Sequence, residues 1–354
     1  MKNKKYYNLY LKIRNDIENG KYFANSKLPS KRNMSNLSGY SLITVERAYS
    51  MLLEEGYIAS RERSGYFVKA IEALKPRNAD SCNFEYLKEP TTKSDSDFEY
   101  SVWFKTVRKV ISDYGKLLFV KSPTKGCEVL RNAITDYLFR CRDIRVNPKN
   151  IIIGSGAEQL YETAIKLIGR NKVYGTESPC YYGIETVYNA NEIKTVPLKM
   201  GKDGIEEKEL KTKQFDVLHV TPFHSFPSGV TTSIQKRYMY LKWAIENKSY
   251  IIEDDFDSEF SLTRNPIQTL FAIDNSSSIV YINTFSKTLS PSMRIGYMIL
   301  PDSLLEKYEE KLESLSCGVP VMDQYILAEF IKSGSFERHI NKARRKQNVK
   351  PLSN

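Results

Sequence analysis

The sequence predicts two domains, a small basic α+β domain at the N-terminus and a larger α/β domain after it. The chain has 354 residues, which is comfortable for two domains. Residues 1–70 hold three helical patterns and then two strand patterns, whereas helix-like and strand-like segments alternate from about residue 101. The net charge of +11 is uneven, because residues 1–70 carry +7 and residues 338–354 carry +6. A basic terminal domain is typical of proteins that bind a phosphate backbone, although a solvated lysine-rich surface gives the same charge.

The composition narrows the class of protein. Hydrophobic residues make up 41% and charged residues 27%, as in ordinary globular proteins. No apolar run approaches the ~18 residues of a membrane span, and no signal-peptide core follows the N-terminus. We therefore expect a cytoplasmic protein with no membrane partner. The five cysteines are widely spaced and the three histidines are scattered, so we expect neither a disulfide framework nor a metal site.

The small domain reads as a winged helix-turn-helix. Ser30 and Ser41 can cap the second and third helices, and Gly56 can close the third. The predicted elements are helices over 6–19, 31–37 and 42–55 and strands over 57–60 and 66–69. Three helices followed by a two-stranded wing are the layout of that DNA-binding motif.

Four motifs in this domain resemble the GntR family of bacterial regulators. They are residues 28–32 (LPSKR), 44–49 (TVERAY), 53–57 (LEEGY) and 64–68 (SGYFV). The resemblance implies that the third helix enters the major groove of double-stranded DNA and that the wing touches the adjacent minor groove or backbone. Hydroxyl groups and helix N-termini suit phosphates, and arginine suits phosphate or guanine. The candidate DNA contacts are Ser30, Arg32, Ser41, Thr44, Arg47, Arg63 and Gly65.

One position departs from the family in this domain. Leu42 stands where the family usually has arginine, and Ile43 adds a second apolar residue. A leucine side chain cannot donate a hydrogen bond to a base or a phosphate. We therefore expect low affinity or an unusual target sequence.

Residues 71–100 are the predicted linker, because they contain Pro76, Pro90 and the polar run 91–97. Beyond them, alternation predicts an α/β domain with a mainly parallel sheet and a ligand at the carboxyl ends of its strands. The predicted helices cover 102–114, 126–141, 156–169, 234–247 and 302–314. The predicted strands cover 151–153, 172–174, 217–220, 250–253, 279–284 and 297–300.

Three motifs directly follow predicted strands. Residues 154–159 (GSGAEQ) can hold a phosphate on backbone N–H groups, although a tight turn also uses glycine. The carboxylates of residues 251–260 (IIEDDFDSEF) can bind metal, serve structure or pair with a cationic ring nitrogen. In residues 284–290 (TFSKTLS), Lys287 lies among hydroxyl groups after an apolar strand. Burial would lower the pKa of a lysine there and favour Schiff-base chemistry, and Arg294 could hold a phosphate.

The order and spacing of these motifs resemble fold-type-I aminotransferases, whose fold is a three-layer α/β domain. The likeness is strongest to the MocR subfamily of GntR regulators, which joins that fold to the DNA-binding domain; residues 177–181 (ESPCY) and 221–230 (TPFHSFPSGV) match as well. The resemblance implies pyridoxal 5′-phosphate (PLP) as cofactor, with Lys287 as the internal aldimine, Asp254 on the protonated pyridine nitrogen and Tyr181 against the ring. The implied phosphate contacts are Ser155, Gly156, Ala157, Thr284 and Arg294.

Two departures affect this domain. Phe256 stands where the MocR pattern has a tyrosine whose phenol would contact the cofactor, so cofactor affinity is expected to change. The match ends within residues 336–354, which resemble the start of a small C-terminal domain, and we expect a truncated chain that lacks that domain's substrate-binding arginine. The expected domains are 1–70 (DNA binding), 71–100 (linker), 101–335 (cofactor binding) and 336–354 (truncated small domain).

The resulting hypothesis is a homodimeric, PLP-dependent DNA-binding regulator that senses an amine, an amino acid or vitamin B6. Two alternatives stay open at this point. One is a PLP-dependent aminotransferase with a vestigial DNA-binding domain, which needs a complete substrate pocket. The other is a DNA-binding regulator whose truncated body no longer holds PLP.

Overall fold

The computed structural model describes residues 5–62, 64–70, 98, 100–256, 258–260, 268–274 and 277–349. The chain divides into two compact units, residues 1–92 and 93–354. Of the predicted linker, only Phe98 and Tyr100 are among the described residues, and both belong to the second unit. No helix in these ranges is long and apolar enough to cross a membrane.

The first unit is a three-helix domain with a two-stranded wing, as predicted. Ser30 and Ser41 cap α2 and α3 through bonds from the backbone N–H groups of Asn33 and Thr44. The core stripe of α3 is fully buried, which is what its apolar spacing predicts. The elements are α1 (Lys5–Glu18), α2 (Lys31–Ser38), α3 (Leu42–Glu54), β1 (Ile58–Arg61) and β2 (Gly65–Val68), with the two strands antiparallel.

The second unit is an α/β domain with one eight-stranded sheet. Its strands are β3 (Ile151–Gly154), β4 (Val173–Ser178), β5 (Lys194–Gly201), β6 (Gly204–Ile205), β7 (Val217–Val220), β8 (Tyr250–Asp254), β9 (Ile279–Thr284) and β10 (Gly296–Ile299). Its helices are α4 (Tyr100–Tyr114), α5 (Glu128–Arg142), α6 (Ala157–Ile168), α7 (Tyr182–Ala190), α8 (Glu207–Thr212), α9 (Ile234–Asn247), α10 (Leu270–Ile273), α11 (Asp302–Leu312), α12 (Val321–Lys332) and α13 (Ser335–Val349).

The sheet is mixed, with strand order β3-β10-β9-β8-β7-β4-β5-β6. Five consecutive strands from β9 to β5 are parallel, whereas β10 runs antiparallel to both of its neighbours and β6 runs antiparallel to β5. Strand β10 follows β9 without an intervening α-helix, and neighbouring strands joined by a short connection pair antiparallel. The prediction of a mainly parallel sheet is therefore confirmed, and the antiparallel pairings are those of β10 and β6.

Both faces of the sheet are covered, which gives three layers. In β3, Ile151 and Ile153 belong to one apolar core, and Ile152 between them belongs to the other. Phe98 and Phe336 pack into the first of these cores. Residues near both ends of the second unit, at Phe98 and at the start of α13, therefore belong to the core of the large domain.

Candidate functional site

A cavity of about 340 Å³ lies where β7, β8 and β9 end and α6 begins. This edge of the sheet is where the sequence predicts a ligand. Six predicted site residues line the cavity, namely Ala157, Tyr181, Asp254, Thr284, Lys287 and Arg294. Six further residues complete it, namely Glu158, Tyr161, Thr221, Phe226, Phe256 and Ser286. A larger surface groove of about 690 Å³ between α8 and α9 contains none of the predicted residues.

Asp254 is the buried acid of this cavity. It ends β8 and is only 3% exposed. The hydroxyl of Tyr161 donates a hydrogen bond to Oδ2, whereas Oδ1 has no hydrogen-bond partner among the described residues. Burial raises the pKa of Asp254 to about 7, and the Tyr161 hydrogen bond opposes that rise. A buried carboxylate oxygen without a partner is costly, so Oδ1 is a fitting acceptor for a cationic N–H of a ligand.

Its neighbour Asp255 has a different role. Asp255 Oδ2 accepts hydrogen bonds from the guanidinium of Arg142 at 2.6 Å and from the hydroxyl of Tyr281 at 2.7 Å, and all three residues are buried. Successive side chains along extended backbone point to opposite faces. Asp255 is therefore satisfied within the protein, and Asp254 is the acid that lines the cavity.

Tyr161, His219 and Tyr188 form a chain of contacts that begins at Asp254. Tyr161 lies on α6 and meets the ring of His219 edge-on, with 5.1 Å between ring centroids. The Nδ1 atom of His219 is 2.7 Å from the hydroxyl oxygen of Tyr188. Burial lowers the pKa of His219 to about 3, so this imidazole is neutral and adds no positive charge beside the acid. Sequence reasoning missed Tyr161, because a tyrosine on the buried face of a helix is indistinguishable from core packing.

The turn before α6 is shaped for an anion. Gly156 is the N-cap of the helix with φ of +99°, and no side chain caps the first turn. The positive φ favours glycine, and the absence of a Cβ atom, which would lie 2.7 Å from Nη2 of Arg294, leaves room for that guanidinium over the helix N-terminus. Free N–H groups and a cation together suit a phosphate. Ser155 does not line the cavity; its N–H group donates to Oε1 of Gln159 at 3.1 Å.

Arg294 also has a partner that the sequence reasoning overlooked. Its Nη2 atom donates to Oε2 of Glu158 at 2.7 Å, and both side chains are partly exposed. Glu158 lies in the first turn of α6, among the residues expected to hold a phosphate. The signal was present in the sequence as the acidic residue of the GSGAEQ motif.

Lys287 lies in the loop after β9, beside Phe256. Its Nζ atom is 4.7 Å from the centroid of the Phe256 ring, which presents an aromatic face and no hydroxyl group. The expected burial of Lys287 is wrong, because the side chain is exposed at the cavity mouth. Tyr181 is half-buried, and burial raises the pKa of its phenol to about 12. The structure therefore brings amine, acid, aromatic ring and guanidinium to one cavity.

The predicted DNA contacts lie in the first unit. The hydroxyl groups of Ser30 and Ser41 cap helices, and Ser41 Oγ is 2.9 Å from Oγ1 of Thr44. Arg32 and Arg47 are exposed.

The wing and the start of α3 complete this surface. Gly65 has φ of +104° in the wing, and the predicted contact Arg63 lies outside the described residues. Leu42 and Ile43 are 46% and 68% exposed at the start of α3, so they form no part of the core.

Comparisons with known families and proteins agree with the division of the chain into two units. The model for "Bacterial regulatory proteins, gntR family" matches residues 5–68, and the model for "Aminotransferase class I and II" matches residues 97–350. The chain is 35% identical to the uncharacterised HTH-type transcriptional regulator YdeL of Bacillus subtilis, over 96% of this chain and 76% of that protein. It is 27% identical to PdxR of Corynebacterium glutamicum, an HTH-type pyridoxine biosynthesis transcriptional regulator, over 94% of this chain and 74% of that protein.

Solved structures give the fold of the second unit. The chain resembles a kynurenine aminotransferase of Pyrococcus horikoshii with a TM-score of 0.61 and 24% identity. The match covers 70% of this chain and 64% of the aminotransferase, which is less than two thirds of its length. At this identity the likeness shows the fold alone.

Proposed function

Since the chain belongs to the GntR family of bacterial regulators, in the MocR type that carries an aminotransferase class I and II domain, we propose that PLP controls how it binds DNA. The DNA-binding domain and the regulator relatives make it a transcription regulator. The proposal adds the cofactor and the control. The observation that carries it is the unpartnered, buried Oδ1 atom of Asp254 in the cavity that Lys287 lines.

In this proposal, different residues in and beside the cavity bind different parts of PLP. Bound PLP supplies an aldehyde that condenses with amines and an electron-withdrawing ring. Lys287 presents its amine at the cavity mouth, and Asp254 would accept the ring's N–H at Oδ1 while Tyr161 holds Oδ2. Gly156 and Arg294 would hold the phosphate, together with Ala157, Thr284 and the backbone around Ser155. Tyr181, which lines the cavity, would lie against the ring.

Tyr161 is a positioning residue in this scheme. Its hydroxyl group occupies one oxygen of Asp254, which leaves the other oxygen to the ligand. The same bond favours the charged form of Asp254, as any hydrogen-bond donor to a carboxylate does. Because Asp254 is buried, the ionised carboxylate gains most when a cation lies against Oδ1.

We further propose that α3 reads the major groove and that the wing touches the flanking backbone. Arg32 and Arg47 supply positive charge, and the hydroxyl groups of Ser41 and Thr44 at the start of α3 supply hydrogen bonds to phosphates. Ser30, Gly65 and Arg63 belong to the same proposal as flanking contacts. Leu42 replaces a cationic contact with an apolar one, which weakens the salt-dependent part of binding.

The remaining proposals concern assembly and setting. We propose a homodimer, because large apolar side chains are exposed on α4 and on the turn after it, namely Phe104, Ile111, Leu117, Phe119 and Val120. A twofold dimer would bind two half-sites spaced by whole turns of DNA. The proposed effector is a small amine, an amino acid or vitamin B6 itself, and the proposed place of action is the cytoplasm, where bacterial DNA lies.

An absorbance titration with PLP tests the cofactor. We expect a visible absorbance band from an adduct that borohydride reduction fixes covalently to the chain. Lys287→Ala should abolish the band. Lys166→Ala, which removes an exposed lysine on α6, should leave it intact. Binding of the protein to the promoter region of its own gene is then measured with and without PLP. A change with PLP supports the proposal. A band with unchanged DNA binding refutes the proposal that PLP controls DNA binding. The absence of a band refutes PLP as cofactor and leaves a DNA-binding protein whose second domain binds no PLP.

A further inference from the structure

Glu158 and Arg294 form an ion pair at the place where a phosphate would bind. The distance between Oε2 of Glu158 and Nη2 of Arg294 is 2.7 Å, and their side chains are 38% and 54% exposed. Both residues line the cavity. The guanidinium lies against the backbone of Gly156 at the N-terminus of α6, where a Cβ atom would lie 2.7 Å from Nη2. Among the described residues, the one cation that lines this cavity beside Lys287 is therefore already engaged by a carboxylate of the chain itself.

Glu158 is stabilised by the same two features that would attract a phosphate. It lies in the first turn of α6, where the helix dipole favours negative charge. It also accepts a charge-assisted hydrogen bond from Arg294. A phosphate entering this space must take Arg294 from Glu158 and then lie near that carboxylate. The buried acid Asp254 is close enough for the charge of Glu158 to raise its pKa further, behind the larger effect of burial.

We propose that Glu158 is a specificity-determining residue that competes with the phosphate of the ligand for Arg294. The inference rests on the proposed binding of PLP. Its consequence is selective, because the competition weakens binding of a phosphorylated ligand and leaves an unphosphorylated one unaffected. The chain therefore binds PLP reversibly and discriminates little between PLP and pyridoxal.

Two probes and two variants test this. PLP and pyridoxal are titrated separately into the full chain, into Glu158→Gln and into Glu162→Gln, and dissociation constants are measured at low salt. Glu162 lies one turn further along α6 and pairs with Lys166 at 3.9 Å, so it controls for a change of charge on the same helix. Loss of one partly screened like charge near the phosphate predicts about ten-fold tighter PLP binding in Glu158→Gln. Pyridoxal binding should change by less than about two-fold, since pyridoxal brings no phosphate charge.

The outcomes separate this inference from the proposed function. Tightening of PLP alone in Glu158→Gln, reduced at high salt, supports the inference. Three outcomes overturn the inference and leave the proposed binding of PLP intact. They are equal changes in affinity for both probes, weaker PLP binding in Glu158→Gln, and an equal gain in PLP affinity in Glu162→Gln. If none of the three proteins binds either probe and thermal melting shows them folded, the proposed function fails and the inference fails with it.

Discussion

Replacing Asp254 with asparagine is expected to stabilise the cofactor-free protein while weakening its binding of PLP. Burial raises the pKa of Asp254 from 3.8 to about 7, so the folded protein holds this proton more tightly than the unfolded chain does. The carboxyl group therefore costs nothing below about pH 4, where it is protonated in both states. The cost grows as the pH rises toward about 7 and is constant above that.

The size of the effect follows from the same values. Each pKa unit is worth about 1.4 kcal/mol. At pH 8 the ionised, buried Asp254 lowers the free energy of unfolding by about 4 kcal/mol, and at pH 5 by less than half of that. Asparagine keeps the shape and an acceptor for the Tyr161 hydroxyl but carries no charge. Asp254→Asn should therefore exceed the wild type in stability by about 4 kcal/mol at pH 8 and by much less at pH 5.

Urea denaturation followed by tryptophan fluorescence measures this directly. Trp103 and Trp243 are the two tryptophans of the sequence, and both lie in the second unit, so their fluorescence reports on the domain that holds Asp254. Asp113→Asn, an exposed acid on α4, is the matched control and should show no pH-dependent gain. A stability difference that is the same at pH 5 and pH 8, or a less stable variant at pH 8, would refute the reasoning.

The same variant tests the other half of the argument. With PLP present, Asp254→Asn loses the negative charge proposed to pair with the ring nitrogen, so its dissociation constant should rise at least about ten-fold. Stability gained without the ligand and affinity lost with it are expected together. Unchanged affinity would show that Asp254 Oδ1 does not receive the ring.

Three further changes extend the test. Arg142→Met leaves Asp255 charged and buried without its cation, and should lower the free energy of unfolding by about 3–5 kcal/mol in urea; a loss below about 1 kcal/mol would contradict the buried pair. Phe256→Tyr places a hydroxyl beside the Lys287 amine, and should tighten PLP binding by about three- to ten-fold, the worth of one hydrogen bond, in the absorbance titration. Leu42→Arg restores a cation at the start of α3, and should steepen the log–log salt dependence of duplex binding by about 0.9, measured by fluorescence anisotropy; an unchanged slope would mean that this residue meets no phosphate.

The elements that the sequence predicted best are two fully buried central strands and one helix with a single buried face. Strands β7 and β9 and helix α9 begin and end where their apolar patterns do. Strand β5 was missed because it lies near the sheet edge and most of its residues are partly exposed, so it lacks an apolar run. Helix α12 was missed because it is buried on nearly all sides, which removes the amphipathic period that marks a helix. Full burial therefore hides a helix, whose mark is the period of its apolar residues, but not a short strand, whose mark is an apolar run.

The candidate site divides in a similar way. Lys287, Asp254 and Arg294 could be predicted, because Asp254 ends β8, the other two lie in the connection after β9, and the carboxyl ends of parallel strands share one edge of the sheet. The sequence shows that Glu158 is acidic, but neither its pairing with Arg294 nor the role of Tyr161 could be predicted, since both depend on how α6 is rotated against the sheet. The burial of Lys287 was also wrong, because an apolar strand before a residue does not determine how open the adjoining loop is.

The site is costly to the protein when no ligand is bound, and this bears on its function. Asp254 has an unpartnered buried oxygen, and its raised pKa means that near neutral pH the acid is divided between charged and neutral forms. A purely structural core would replace such a group with an apolar residue at a gain in stability. Arg294, by contrast, is satisfied by Glu158 without any ligand. One end of the cavity therefore lacks a cationic partner while the other end already has an anionic one, so we expect the proposed PLP to gain more affinity from its ring nitrogen than from its phosphate.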